Sequence, residues 1–356
     1  MIVQNEQTAA EVPGLESGVD ALLEPLIADA LSALDGRAPL LAGMVRYHLG
    51  YANLDLQPID PRSLDRGKRI RPAVTLLVAG AAGGDPAQAA PVAAAIELLH
   101  NFTLIHDDIQ DESATRRHRP TVWRAWGAKQ AINAGDALFA VAHLPLFQLP
   151  ARGVSAERTI AILDAFERMT IEIVEGQTLD LGFETREDVT ADAYLDMISG
   201  KTSAIIRFAA WAGATIAGAD AAMAARWAAF GLELGLGFQI HDDLLGVWGT
   251  QAETGKRQAD DIRRRKKSYP FLLLRERLDP AEQMELNAIY AQEEVAAHEI
   301  TRVLSLMDAR GVRRDVEQVV AHYHDSAAAM LADATRHSTY QRQLQTLVES
   351  LAKRTF

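Results

Sequence analysis

His100-Asn101-Phe102-Thr103-Leu104-Ile105-His106-Asp107-Asp108-Ile109-Gln110-Asp111 is the most informative stretch of this 356-residue sequence. At about 100° per residue on a helix, Thr103 falls at about 300° from His100, Asp107 at about 340° and Asp111 at about 20°. One helical face then carries an imidazole, a hydroxyl and two carboxylates. Carboxylates at i and i+4 repel, so the pair is mildly destabilising unless a cation lies between them. Hard oxygen ligands of this kind suit Mg²⁺. A solvated acidic helix face would use the same residue types. Two features weigh against it. The preceding run Ile96 to Ile105 is strongly apolar, so the carboxylates emerge from a core helix, and Arg116-Arg117-His118-Arg119 follows within a few residues.

Outward from this segment the pattern stays helical. Ala- and Leu-rich windows dominate, with apolar residues at three- and four-residue spacing such as Leu23, Ile27, Ala30 and Leu34. Asp85-Pro86, Asp279-Pro280 and Thr190-Ala191-Asp192 read as helix starts, with an N-cap and in two cases Pro at the first helical position. No convincing strand is present. The expected fold class is all-α: many helices joined by short connections. Residues 1 to 18 read as a polar tail, and 19 to 356 as one large helical domain.

Composition narrows the function. Thirty-six basic residues against 48 acidic ones leave a net charge of −12, which argues against a general nucleic-acid binder. The absence of Cys excludes disulfides and Cys-ligated zinc or iron–sulfur centres. Phe208 to Ala219 is among the longest apolar runs, at 12 residues, short of the roughly 18 to 20 that span a bilayer. With no signal-peptide pattern at the N-terminus, a cytoplasmic protein without a membrane span is expected.

A second acidic pair lies far along the chain, in Gly237-Phe238-Gln239-Ile240-His241-Asp242-Asp243. Gln239 and Asp243 are i and i+4 and share a face. Two such pairs, each ending an apolar helix, would hold divalent metal between them, as phosphate chemistry requires. Phosphate also needs Lys and Arg. Gly67-Lys68-Arg69-Ile70-Arg71-Pro72, Arg116-Arg117, Gly200-Lys201-Thr202 (a loop-like glycine before a cation and a hydroxyl) and Gly255-Lys256-Arg257 supply them, with Arg263 to Lys267 beyond. Taken alone, that last run reads as a solvated basic face. Gly200-Lys201-Thr202 lacks the upstream glycine of a P-loop.

These residues, in this order, resemble the trans-isoprenyl diphosphate synthases, the polyprenyl synthetase family. The likeness covers residues 40 to 345. Asp107-Asp108-Ile109-Gln110-Asp111 is similar to the family's first aspartate-rich motif, and Asp242-Asp243 to the second. The resemblance implies an isoprenoid-synthase-type bundle of antiparallel helices around a deep central cavity, assembled as a homodimer. It implies head-to-tail condensation of isopentenyl diphosphate onto allylic diphosphates (dimethylallyl, geranyl, farnesyl) with three Mg²⁺. By position, Asp107, Asp108 and Asp111 would form one metal-binding set, with Asp107 and Asp111 ligating two ions. Asp242 would hold the third, supported by Asp243. Arg116, Lys201, Lys256 and Lys266 would contact the allylic diphosphate. Lys68, Arg71, His100 and Arg117 would hold isopentenyl diphosphate. Thr202 and Gln239, with Lys201, would line the reacting end.

The same resemblance gives Phe102 and Thr103 the floor of the chain pocket. One aromatic at the fifth position before Asp107 and a small residue at the fourth favour a C20 product, with C15 as the near alternative. Periodicity alone would read Phe102, at about 200° from His100, as core. The chain departs from the family at Gly246, where the second motif usually ends in a third Asp. The expected consequence is weaker metal affinity without loss of activity. A terpene cyclase would not need the isopentenyl site. A non-catalytic subunit of a heteromeric synthase would be expected to lose an aspartate motif outright.

Overall fold

The computed structural model describes residues 15–60, 67–250, 257–334 and 338–352. The chain is all-α. Its first ten helices are α1 (Leu15–Ser32), α2 (Pro39–His48), α3 (Ile70–Ala81), α4 (Pro86–Gln110), α5 (Val122–Trp126), α6 (Ala128–His143), α7 (Ala156–Thr185), α8 (Ala191–Ile198), α9 (Ala204–Ile216) and α10 (Ala221–Trp248). Further helices at Tyr269–Arg277, Pro280–Tyr290, Ala297–Ala309, Val312–Ala334 and Thr339–Ala352 complete the bundle. α1 opens at Leu15, so Leu15 to Gly18, expected in the polar tail, are helical. Among the described residues the extended structure includes one ribbon too short to leave a period-2 signal, in which Thr115–Arg116 pairs antiparallel with Arg119–Pro120.

The caps act where the sequence places them. Asp85 accepts a hydrogen bond from Ala87 N at 2.9 Å and starts α4. Asp279 accepts from Ala281 N and Glu282 N, and Glu282 answers as a capping box. Thr190 accepts from Ala193 N at the head of α8. Pro91 inside α4 cannot donate to Ala87 O; Arg152 Nη1 donates to that carbonyl instead, at 3.2 Å, so the helix runs on.

Two apolar clusters support the site. The larger joins α1 to α4, α6, α7, α9 and the first half of α10 through Trp227, Phe230 and Leu234. The smaller joins α8, the second half of α10 through Leu236, Ile240 and Val247, and the helices from Tyr269 onward. α10 is common to both, which fixes Asp242 and Asp243 relative to α4. Leu23, Ile27 and Ala30 are buried as their spacing predicts; Leu34 packs on the core from beyond the end of α1.

Between α8 and α9 the backbone widens into a π-helical turn over Ser199–Ser203. Gly200-Lys201-Thr202 is therefore not a loop. Such turns project side chains out of register and are common at functional sites. Two glycines let neighbouring helices close on it: a β-carbon at Gly176 of α7 would lie 2.3 Å from Lys201 N, and one at Gly235 of α10 would lie 2.7 Å from Ser203 Cα.

Candidate active site

Three carboxylates leave the end of α4 in three environments. Asp108 is 1% exposed and held by Arg116, whose Nε lies 3.0 and 3.1 Å from its two oxygens and whose Nη2 lies 2.9 Å away. Asp111 is the C-cap and is exposed. Asp107 lies half-buried between these extremes. Burial pushes its carboxyl from 3.8 up to about 6; Lys201 opposes the shift, Asp111 adds to it, Arg116 opposes it and Asp180 adds to it. Burial is thus the main reason that the ionised Asp107 carboxylate is costly.

Asp180, on α7, carries no motif signal in the sequence. Its carboxylate pairs with the Lys201 ammonium and its charge reaches both Asp107 and Lys266. It stands between the two acidic ends. The π-helical turn links them as well: Lys201 faces Asp180 and Asp107, while Thr202 Oγ1 donates to Gln239 Oε1 at 3.0 Å, and Gln239 Nε2 donates to Asp243 Oδ1 at 3.2 Å.

Asp243 is 1% exposed and crowded by donors. Tyr194 OH donates to it at 2.6 Å and Tyr269 N at 3.2 Å, and Lys266 Nζ lies 3.6 Å away. Tyr194 is a second residue that the sequence does not flag. Lys266 keeps 46% of its side chain exposed while its ammonium faces Asp243, and Lys267 is half-buried. Lys267 Nζ donates to the carbonyls of Phe183 and Glu184, each at 3.0 Å. Lys256 lies outside the described residues.

The opposite half of the site is cationic. Arg71 Nη1 lies 3.3 Å from His100 Nε2. Arg117 leans on the turn before Lys68, since a β-carbon at Gly67 would stand 3.1 Å from its Nη2. A cavity of about 390 Å³, open mouth included, is lined by Tyr47, His48, Asp108, Arg116, Arg117 and Arg119 among others. Burial lowers both imidazoles here. Arg71, Arg117 and Arg116 press His100 well below 6.5, and Arg116, Arg117 and Arg119 bring His48 down to about 3. Positive charge in this pocket therefore rests on the arginines at pH 7, and the neutral imidazoles remain donors. His48 has no sequence signal; it joins the site because α2 ends beside the ribbon. Arg69, central in the basic segment, turns away to pair with Asp20 and Glu24.

Behind Asp107 the wall is aromatic. Phe102 packs on His106 at 4.8 Å and on Phe139 of α6 at 5.1 Å; Phe139 meets His143 at 4.9 Å, and His143 meets Phe166 of α7 at 5.2 Å. Thr103 Oγ1 donates to His100 O at 2.8 Å and presents only a small side chain.

Among the described residues no group of three or more His, Asp or Glu side chains stands ready to hold a metal. Mg²⁺ does not require one, because it binds through one or two carboxylates and takes its remaining oxygens from phosphate and water. The donors here are all oxygen, and a divalent cation at Asp107 would offset the cost of burying its charge. The oxygens of Asp108 lie against Arg116, and those of Asp243 against Tyr194, Gln239 and Tyr269.

A family model described as polyprenyl synthetase matches residues 56–307. A (2E,6E)-farnesyl diphosphate synthase of Mycobacterium tuberculosis is 41% identical over 249 residues, 70% of this chain and 66% of that protein, just under two thirds of its length. A geranylgeranyl diphosphate synthase of the same organism is 39% identical over 322 residues, 89% of each chain. Among solved structures, a polyprenyl synthetase from Streptomyces coelicolor A3(2) superposes with a TM-score of 0.85 at 31% identity, over 96% of this chain and 99% of that one. No described helix is long and apolar enough to cross a membrane.

Proposed function

Because this chain belongs to the polyprenyl synthetase family, we propose that it is a short-chain trans-prenyltransferase that condenses isopentenyl diphosphate with allylic diphosphates and stops at C20, with C15 as the second reading. The observation that carries this is the pairing of two unlike anion sites. One, at Arg71, His100, Arg117 and His48, is cationic by itself. The other, at Asp107, Asp111 and Asp242, is anionic and would receive a diphosphate only together with divalent metal. Two diphosphates are thereby held side by side and told apart by how their charge is met.

Asp107, Asp111 and Asp242 would hold Mg²⁺, which when bound neutralises charge on the departing diphosphate. The chain's own groups do the rest. Lys201, Lys266 and Arg116 border the metal-dependent site and supply further positive charge to the leaving group. The Thr202 hydroxyl and the Gln239 amide, 3.0 Å apart, present oxygen dipoles to a cation forming at the allylic carbon. Phe102 and Phe139 exclude water behind it and set the depth available to the growing chain. Among the described residues no side-chain base stands out between the sites, and the family resemblance gives the proton lost from the isopentenyl unit to the departing diphosphate.

Homodimerisation is part of this reading. Ile160, Ile171 and Val174 on α7 are exposed and fall within about 60° of one another on the helix, an apolar face suited to a second copy. Light scattering after gel filtration tests it.

Product analysis by mass spectrometry tests the activity, with Mg²⁺, isopentenyl diphosphate and separate C5, C10 and C15 starters, against an EDTA control. Elongation of all three to one C20 diphosphate is expected. A C15 endpoint selects the second reading. Hydrocarbon released from a single substrate, or no turnover with any starter, overturns the proposal.

A further inference from the structure

Arg116 and Arg117 are neighbours in the chain, yet they serve different diphosphates in the proposed reaction. The backbone that separates them is unusual. Thr115 pairs with Pro120 and Arg116 with Arg119 in the antiparallel ribbon, so Arg117 and His118 make the whole turn. Their φ angles are 50° and 59°. A two-residue hairpin with positive φ at both central positions is ordinarily built from Asn-Gly or Asp-Gly. Arginine and histidine each carry a β-carbon that crowds the backbone in this region. The turn is therefore held from outside, and its contacts with α2 centre on Arg119. Arg119 Nη1 donates to Tyr47 O at 3.1 Å, and Nη2 donates to Ala52 O at 2.8 Å. The guanidinium carbon stands 3.9 Å from the centre of the Tyr47 ring. Tyr47 OH answers by donating to Pro120 O at 2.8 Å, and its ring meets Trp126 edge-on at 5.0 Å. The second strand of the ribbon is thus fastened to the end of α2.

We propose that Arg119 is a positioning residue for the isopentenyl diphosphate side of the site: it clamps the ribbon to α2, keeps the left-handed turn at Arg117-His118, and so aims the Arg117 guanidinium towards Gly67 and Lys68. The inference rests on the prenyltransferase reading and adds to it the residue that gives one basic pair two directions. Arg116 has an anchor of its own, since its Nε and Nη2 hold Asp108. Arg117 takes its direction from the turn, and its Nη2 would stand 3.1 Å from a β-carbon at Gly67. The clamp also places His48, because the carbonyl that Arg119 Nη1 holds belongs to the peptide joining Tyr47 to His48. His48, Arg117 and Arg119 line one cavity. Loss of the clamp therefore weakens isopentenyl diphosphate binding and spares the allylic diphosphate.

The experiment compares wild type with Arg119→Met, Arg119→Lys, Tyr47→Phe and Arg119→Met/His118→Gly. The readouts are KM for isopentenyl diphosphate and for a C10 starter with Mg²⁺, and the rate of tryptic cleavage after Arg116 and Arg117, located by mass spectrometry. A misplacement of about 1 Å can cost about 100-fold, so Arg119→Met is expected to raise KM for isopentenyl diphosphate about tenfold or more and to leave KM for the C10 starter within about twofold. Cleavage at the turn should quicken about fivefold, because proteolysis follows the population of the opened form. Arg119→Lys keeps the charge but lacks the fork that reaches two carbonyls, so its KM should fall between the two. Glycine at 118 removes a β-carbon from the left-handed turn, and the double variant should recover at least about threefold in KM relative to Arg119→Met. Should Arg119→Met fail to fold, Tyr47→Phe, which deletes only the bond to Pro120 O, is expected to show the same one-sided rise. An unchanged KM for isopentenyl diphosphate, an equal rise for both substrates, or a double variant no better than Arg119→Met overturns the proposal. Wild type without turnover would fail the prenyltransferase reading, whereas an unchanged cleavage rate at the turn overturns the clamp whatever the activity.

Discussion

Asp107→Asn should stabilise the metal-free protein while destroying its activity. Asp107 has a carboxyl pushed from 3.8 to about 6, chiefly by burial. Its folded value lies above the unfolded one, so ionisation works against folding. The cost is absent below about pH 4, grows between about 4 and 6, and is complete above that range. Each pKa unit corresponds to about 1.36 kcal/mol, so a shift of about two units costs about 3 kcal/mol at neutral pH. The side chain keeps some solvent contact, and screening brings this nearer to about 2 kcal/mol. For 356 residues at about 2.1 cal/mol/K each, the unfolding entropy is about 0.75 kcal/mol/K, and the expected rise in Tm is about 3 °C. At pH 5 about half of the cost remains, so the rise should roughly halve. Thermal melts in EDTA at pH 5 and 7.5 measure it, alongside turnover with Mg²⁺, which should fall about a hundredfold or more. An equal rise at both pH values would assign the gain to packing. No rise at pH 7.5 would refute the claim that burial makes the ionised Asp107 costly.

The remaining predictions concern other parts of the site. Phe102→Ala removes the ring that packs on Phe139 at 5.1 Å and should lengthen the product, read by mass spectrometry; unchanged products would remove Phe102 from the floor. Arg71→Ala takes away a charge-assisted partner worth about 1.5–3 kcal/mol, so KM for isopentenyl diphosphate should rise about 10- to 100-fold while KM for the allylic starter stays near wild type. In the same variant the His100 imidazole, lowered first by burial and then by Arg71, should titrate at higher pH by NMR. Gly176→Ala places a β-carbon 2.3 Å from Lys201 N, an overpacking that costs about 1–3 kcal/mol; the urea midpoint should fall and kcat should fall with it, because the turn that carries Lys201 and Thr202 is displaced.

Several features were legible in the residues alone because they are local. The helix starts at Asp85, Thr190 and Asp279 need only a side-chain oxygen and the next backbone N–H groups. The placement of Asp107 after an apolar run follows from the 3.6-residue period, and the pairing of Gln239 with Asp243 is an i, i+4 contact. Gly200-Lys201-Thr202 looked like a loop because glycine usually breaks helices; here the glycine sits in a π-helical turn pressed between α7 and α10. The approach of the Lys266 ammonium to Asp243 leaves no sequence signal for a related reason. A basic run shows charge but not which carboxylates stand opposite.

An all-α chain with two acidic ends and separate basic clusters is determined by spacing and composition, since hydrophobic period, capping and i, i+4 geometry act over a few residues. Which protein donors these carboxylates meet is decided only by the tertiary structure. Arg116 takes Asp108, Tyr194 reaches Asp243 from 49 residues away, Asp180 captures Lys201, and Asp261 settles on Gly246. Each of these depends on which helices the two apolar clusters bring together. A long-range electrostatic pair forms only where packing has already placed both partners, and it leaves no period in the sequence.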